Sequence, residues 1–209
     1  MTVKQILEGK WFFYAFVLLG CILQLMVYEE GMMLSLISGL CGVFSLVLVS
    51  RRKMSQFLFG FVQLITYFII SWRERLWGEV AITVFFTVMM VFALFTWSKN
   101  YDGKVVESRH LSRRMNVIIC VITAIMIGVV SQLLALTTDS QPFMDSFTTV
   151  PAITAQTLMV LRYREQWFYW IVIDLGAIVM WAIAGDFNMT AQYVFWTLNC
   201  IYGWILWKD

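Results

Sequence analysis

Trp167, Trp170 and Asp174 stand at positions i, i+3 and i+7 of an otherwise apolar run, so an α-helix places two indoles and a carboxylate on one face. A carboxylate two turns into hydrocarbon-like sequence costs several kcal/mol unless something pairs with it. Indole faces stack on flat heterocycles and attract cationic ones, and a nearby carboxylate adds to that attraction. The run ends a longer stretch, 155–174, AQTLMVLRYREQWFYWIVID, which also sets Gln156 inside the preceding apolar segment. Gln56, Phe59, Gln63 and Tyr67 form a second stripe at i, i+3, i+7 and i+11. Two such faces meeting would enclose an aromatic slot, with amides on one side and a carboxylate on the other. That chemistry suits a flat heterocycle carrying ribose-like hydroxyls. The same residues have plainer uses: Trp167 and Trp170 as interfacial anchors, Gln63 and Gln156 as links between helices, and Asp174 as half of a structural pair.

The elements that must position these groups are membrane helices. The chain has 209 residues, 61% of them apolar and only 13% charged, where a soluble domain carries about 25% charged residues. Apolar runs of roughly 18 residues or more, parted by short polar joints, fill the length, as in a polytopic membrane protein. Eight helices are predicted, at 11–28, 31–50, 54–72, 76–97, 115–137, 143–162, 167–184 and 190–207. The first is read as a retained helix, because no small-residue cleavage pattern follows it. With the N-terminus in the cytoplasm and sides alternating, 13 of the 15 Lys and Arg residues fall inside and only Arg73 and Arg75 outside. This asymmetry puts both termini in the cytoplasm. The joints expected outside carry Glu29, Glu30, Asp139 and Asp186. Trp11, Trp72, Trp77, Trp97, Trp204 and Trp207, near helix ends, read as interfacial anchors. The long joint 98–114 reads as a solvated, basic linker.

A shift of 111 residues lays Arg51 on Arg162, Gln56 on Trp167, Phe59 on Trp170 and Gln63 on Asp174. It divides the chain into an N-terminal extra helix (1–30), a three-helix unit (31–98), a cytoplasmic linker (99–114), a connecting helix (115–140) and a second three-helix unit (141–209). Three helices per unit would invert a directly fused copy, and the connecting helix restores a parallel repeat, a plan whose site lies at the midplane. Helix 11–28 is expected to be peripheral. Pro151 should kink its helix, as a hinge or as a static bend, with Thr148, Thr149 and Thr154 placed to satisfy the freed carbonyl.

Other chemistries find little support. Cys21, Cys41, Cys120 and Cys200 lie in apolar segments without a CxxC spacing, and the single histidine, His110, is in the linker. No catalytic residue, metal site or cofactor is expected, since an intramembrane enzyme would need a nucleophile–base pair or metal ligands at depth and no histidine lies in a membrane segment. A retinal-type receptor would need a lysine within a helix, and all six lysines lie in loops or at termini. No GxxxxGK[ST] motif is present for nucleotide hydrolysis.

Three motifs, D-S-F-T-T at 145–149, A-Q-T-L-M at 155–159 and E-Q-W-F-Y-W-I-V-I-D at 165–174, together with K-M-S-Q-F-L-F-G-F-V-Q at 53–63, resemble signatures of the PnuC family of bacterial vitamin-precursor transporters. The resemblance spans residues 31–207 and departs at Gln56 and Gln63, where the family pattern has asparagines, and at Asp174, where several members carry an amide. It implies an all-α integral membrane protein of the inner membrane, with three-plus-one-plus-three parallel repeats like those of SWEET sugar transporters and an added N-terminal helix. It implies facilitated diffusion of a nucleoside-like vitamin, nicotinamide riboside first, with thiamine, riboflavin and deoxynucleosides as alternatives. A cytoplasmic kinase would trap the product and feed it to NAD biosynthesis. Proton coupling through Asp174, since a buried carboxylate can take up a proton, and sugar transport rank lower. The expected substrate-contacting residues are Gln56, Phe59, Gln63, Tyr67, Thr149, Gln156, Trp167, Trp170 and Asp174. Expected partners are the small molecule and membrane lipid, with no nucleic acid, and the oligomeric state is left open.

Overall fold

Only two prolines interrupt the apolar runs. Pro142 takes the first position of its helix, where a missing N–H costs nothing, so long helices follow almost unavoidably. The structure, a computed structural model, describes residues 3–28, 32–137 and 142–208, with backbone alone for Val3 and Lys4. These residues form nine α-helices: α1 Val3–Glu8, α2 Lys10–Met26, α3 Met33–Ser50, α4 Gln56–Arg73, α5 Trp77–Ser98, α6 Arg113–Ala135, α7 Pro142–Val160, α8 Gln166–Ala184 and α9 Phe187–Leu206. Eight coincide with the predicted segments, and α1 is an additional short helix. Met33–Ser50, Trp77–Ser98, Arg113–Ala135 and Gln166–Ala184 are long and apolar enough to cross a membrane. Ser112 caps α6 by accepting from the Met115 N–H, and Asp186 caps α9 by accepting from the Met189 N–H. Glu29, Glu30 and Asp139 lie outside the described residues.

The helices pack as α3–α4–α5 and α7–α8–α9, and the two groups meet along α3–α9 and α5–α7. Buried tryptophans hold this seam. Trp97 donates its indole N–H to Met159 O at 3.1 Å, and Trp207 donates to Val49 O at 3.2 Å. Phe57 meets Trp97 edge-on at 5.6 Å, and Trp167 meets Trp207 edge-on at 5.9 Å. Trp97 and Trp207 are therefore not the interfacial anchors expected of them; both are 0% exposed. Trp11, Trp72 and Trp77 are exposed as anchors should be, and Trp204 carries the Arg164 guanidinium over its ring.

These contacts stand 110 residues apart, as do the first residues Gln56 and Gln166 of α4 and α8 and the left-handed turn residues Arg52 and Arg162. The 111-residue shift is thus one residue too long. One residue turns a helix by about 100°, enough to move a side chain to another face.

Two further expectations are corrected. The N-terminal helix is not peripheral: α2 packs on α3 and α9, with Phe16 stacked on Phe195 at 4.8 Å and Val17 in the same cluster as Val43. The outlying helix is α6, which packs chiefly on α7, touches α8 where Cys120 Sγ lies 3.4 Å from the Tyr169 hydroxyl, and leaves most of its apolar surface exposed. Nor is 99–112 a free linker, although most of it is exposed. Val106 is buried and its N–H reaches Arg52 O, the Arg109 N–H reaches Arg162 O, and the Ser108 hydroxyl donates to Trp207 O. The segment thus straps the joint after α3 to the joint after α7. Burial, with Arg109 close by, lowers the Arg162 guanidinium from its usual value, while its Nη1 donates to Glu107 O.

Candidate functional site

One cavity of about 590 Å³ lies between the two helix groups, lined by side chains of α2, α3, α4, α5, α7, α8 and α9. Its deep end lies toward the linker. There the left-handed turns at Arg52 and Arg162 send α4 and α8 back into the bundle, so that Gln56 and Gln166, their first residues, are buried to 0% and 1% exposure. The Ser45 hydroxyl donates to Gln56 Oε1 at 3.3 Å. Among the described residues, the Nε2 groups of Gln56 and Gln166 and the indole N–H of Trp167 have no hydrogen-bond partner, although all three residues line the cavity. Three buried donors in want of acceptors are unusual in a folded protein.

Trp167 is held from behind. Its ring lies against Gly203, where a Cβ would overlap the indole, and its edge meets Trp207. One turn on, Trp170 is half-buried at the cavity wall, and a further turn on Asp174 is 5% exposed. Its carboxylate accepts a weak hydrogen bond from Cys200 Sγ at 3.5 Å. No lysine, arginine or histidine lines the cavity among the described residues. Six glutamines do: Gln24, Gln56, Gln63, Gln156, Gln166 and Gln192. At the end away from the linker, Tyr67 is 38% exposed and donates its hydroxyl to Glu79 Oε2 at 2.9 Å.

The structure thus brings together Gln56, Gln63, Tyr67, Gln156, Trp167, Trp170 and Asp174. Phe59 and Thr149 are not among the lining residues. Phe59 stands about 60° round α4 from Gln56, and its ring faces α3 and stacks on Phe44 at 5.0 Å. Thr149 lies on the exposed side of α7, opposite buried Val150 and Pro151. Nor do the threonines serve the carbonyl that Pro151 releases, since Thr148 bonds Met144 O and Thr154 bonds Val150 O. Sequence reasoning misses Gln24, Gln166, Gln192 and Tyr193. Uncharged amides inside apolar runs are the available signal, and Gln166 is masked by the polar joint it adjoins.

An arrangement of two indoles, a carboxylate without a cationic partner and six amides can hold a flat, monocationic, hydroxylated solute. Among the described residues no group of His, Cys, Asp and Glu could hold a metal.

The family model described as nicotinamide mononucleotide transporter matches residues 32–209. The nicotinamide riboside transporter PnuC of Haemophilus influenzae is 31% identical, over 83% of this chain and 78% of its own. That of Neisseria mucosa is 28% identical, over 98% of this chain and 84% of its own. A crystal structure of the vitamin B3 transporter PnuC superposes with a TM-score of 0.79 at 26% identity, covering 96% of this chain and 92% of that one.

Proposed function

The chain belongs to the PnuC, or nicotinamide mononucleotide transporter, family, and from that premise we propose that it is a passive uniporter of nicotinamide riboside in a bacterial inner membrane. The observation that carries the substrate is Asp174, an acid without a cationic partner beside Trp167 and Trp170, in a cavity that no basic side chain lines. The pyridinium ring of the riboside supplies the missing positive charge and a flat face for the indoles. The mononucleotide adds a phosphate dianion, for which this cavity holds an acid and no base.

The relatives that carry the riboside name support this choice over the mononucleotide. We read α2 to α9 as eight membrane crossings, with α3–α5 and α7–α9 as parallel repeats joined by α6. The strap 99–112 and both termini face the cytoplasm, and α6 faces lipid. The cavity is sealed toward the strap by Trp97, Trp167 and Trp207, so the structure is read as outward-facing. Rocking of the two groups along the tryptophan seam would open the other side. Since nothing in this scheme couples transport to an ion, accumulation beyond equilibrium requires a cytoplasmic kinase that phosphorylates the riboside. Thiamine and neutral deoxynucleosides are the competing ligands.

Binding to the purified protein, followed by titration calorimetry, tests the substrate. Nicotinamide riboside should bind at least roughly a hundredfold more tightly than the mononucleotide, because like charges brought together in a poorly hydrated site cost several kcal/mol. Equal affinity would remove Asp174 from the account.

A further inference from the structure

The cavity wall is completed by a helix outside the region that the family model matches. Gln24, on α2, lines the cavity, yet the family model begins at residue 32. The side chain lies across α3 at Gly39, where a Cβ would overlap Gln24 Oε1. One turn further along α3, a Cβ on Gly42 would come within 3.1 Å of Gln63 Nε2. Two glycines at i and i+3 therefore seat two amides side by side, one brought by α2 and one by α4. No hydrogen bond joins either amide to another described residue. The place of Gln24 is fixed by packing from elsewhere on α2, through Phe16 on Phe195 and Val17 beside Val43.

We propose that Gln24 and Gln63 form an amide pair that holds the sugar hydroxyls of the substrate, which makes the N-terminal helix α2 a determinant of specificity. This rests on the riboside reading. The two ends of the cavity offer different chemistry. At the linker end, Gln56, Gln166 and Trp167 present buried donors without partners, which suits an acceptor such as a carboxamide oxygen. At the Gln24 end the amides both donate and accept, as a vicinal diol does. With the ring between Trp167, Trp170 and Asp174, the substrate lies with its carboxamide toward the strap and its ribose toward α2. A ligand lacking the 2′-hydroxyl would then leave one amide group without its partner.

The test measures Kd for nicotinamide riboside and its 2′-deoxy analogue in wild type, Gln24→Ala, Gly39→Ala and the double variant. Gln24→Met is added as a variant of equal length without the amide. Loss of one neutral hydrogen bond should weaken riboside binding about three- to tenfold in Gln24→Ala and Gln24→Met, and deoxy-analogue binding less than about twofold. Gly39→Ala should reproduce this effect by pushing the amide aside. The double variant should be no worse than Gln24→Ala, because the amide that the added methyl would displace is already gone. Unchanged riboside affinity in both Gln24 variants, equal losses for both ligands, or additive effects in the double variant would each overturn the proposal. A wild-type protein that binds another ligand but not nicotinamide riboside would refute the substrate reading instead. The same variants measured on that ligand would then decide whether α2 sets specificity.

Discussion

Asp174→Asn is expected to raise the Kd for nicotinamide riboside roughly thirtyfold, with little change for a neutral nucleoside. A cation held roughly 5 Å from a carboxylate gains about 3 kcal/mol at an effective permittivity of about 20, and screening by water in the cavity reduces that figure. Asparagine keeps the shape of the side chain and its acceptor for Cys200 Sγ, 3.5 Å away, so only the charge is removed. Because Asp174 is 5% exposed and has no cationic partner among the described residues, its charge is a burden in the empty protein. The variant should therefore melt at the same temperature as wild type or higher. Weaker binding together with equal or greater stability separates a ligand's counter-charge from a structural acid. Unchanged affinity would make Asp174 structural, and a large fall in Tm would show that some group of the protein pairs with it.

Gly203→Ala should be nearly as damaging, from a position that is not among the residues lining the cavity. The added methyl would overlap Trp167 Cε2 and Cζ2 and stand 2.8 Å from Cδ2. The fused ring cannot flex, and Trp207 blocks its retreat on another side. Overpacking of this kind costs about 1–3 kcal/mol, or roughly 3–10 °C in Tm for a chain of this size. The displaced indole should also weaken riboside binding about tenfold, since stacking on an aromatic face contributes about 1–3 kcal/mol. Gly128→Ala on α6 is the control: a Cβ there meets nothing within 4 Å, so Tm should not fall and Kd should not rise. A Gly203→Ala protein indistinguishable from wild type would show that Trp167 is not pinned where the cavity requires it.

The helices are legible in the sequence because a bilayer-length apolar run has few alternatives, and the polar joints are short. The register between the helix groups is harder. Aligning Arg51 with Arg162 satisfies the charge pattern, yet the left-handed residue after α3 is Arg52, with φ 55°, matching Arg162 at 66°. Trp97 with Trp207, and Gln56 with Gln166, mark the 110-residue spacing in the sequence itself. These tryptophans read as interfacial anchors, because position near a helix end does not distinguish an exposed indole from one folded inward onto a backbone carbonyl. Phe59 sits at the edge of its stripe, about 60° round α4 from Gln56, where its ring meets α3. Trp167, Trp170 and Asp174 escape the slip because their shared face depends only on spacing within one helix. The strap is hidden by its charge, with Val105 and Val106 the apolar clue. Gln24 carries the signal of an amide in an apolar run, but a helix that packs from outside the two helix groups carries no periodic sign of where it docks.

The central claim is that this chain lets nicotinamide riboside equilibrate across a membrane without a driving ion, and uptake of the labelled compound into proteoliposomes tests it most directly. With the membrane potential clamped at zero, the internal concentration should rise to the external one and stop there. Under that clamp a proton or sodium gradient should make no difference to the endpoint. Riboside should accumulate beyond it, as phosphorylated product, only when a riboside kinase and ATP are enclosed. With the membrane potential clamped at zero, accumulation of unmodified riboside above the external concentration under an imposed proton or sodium gradient would contradict uniport, and failure of the label to enter would contradict the substrate.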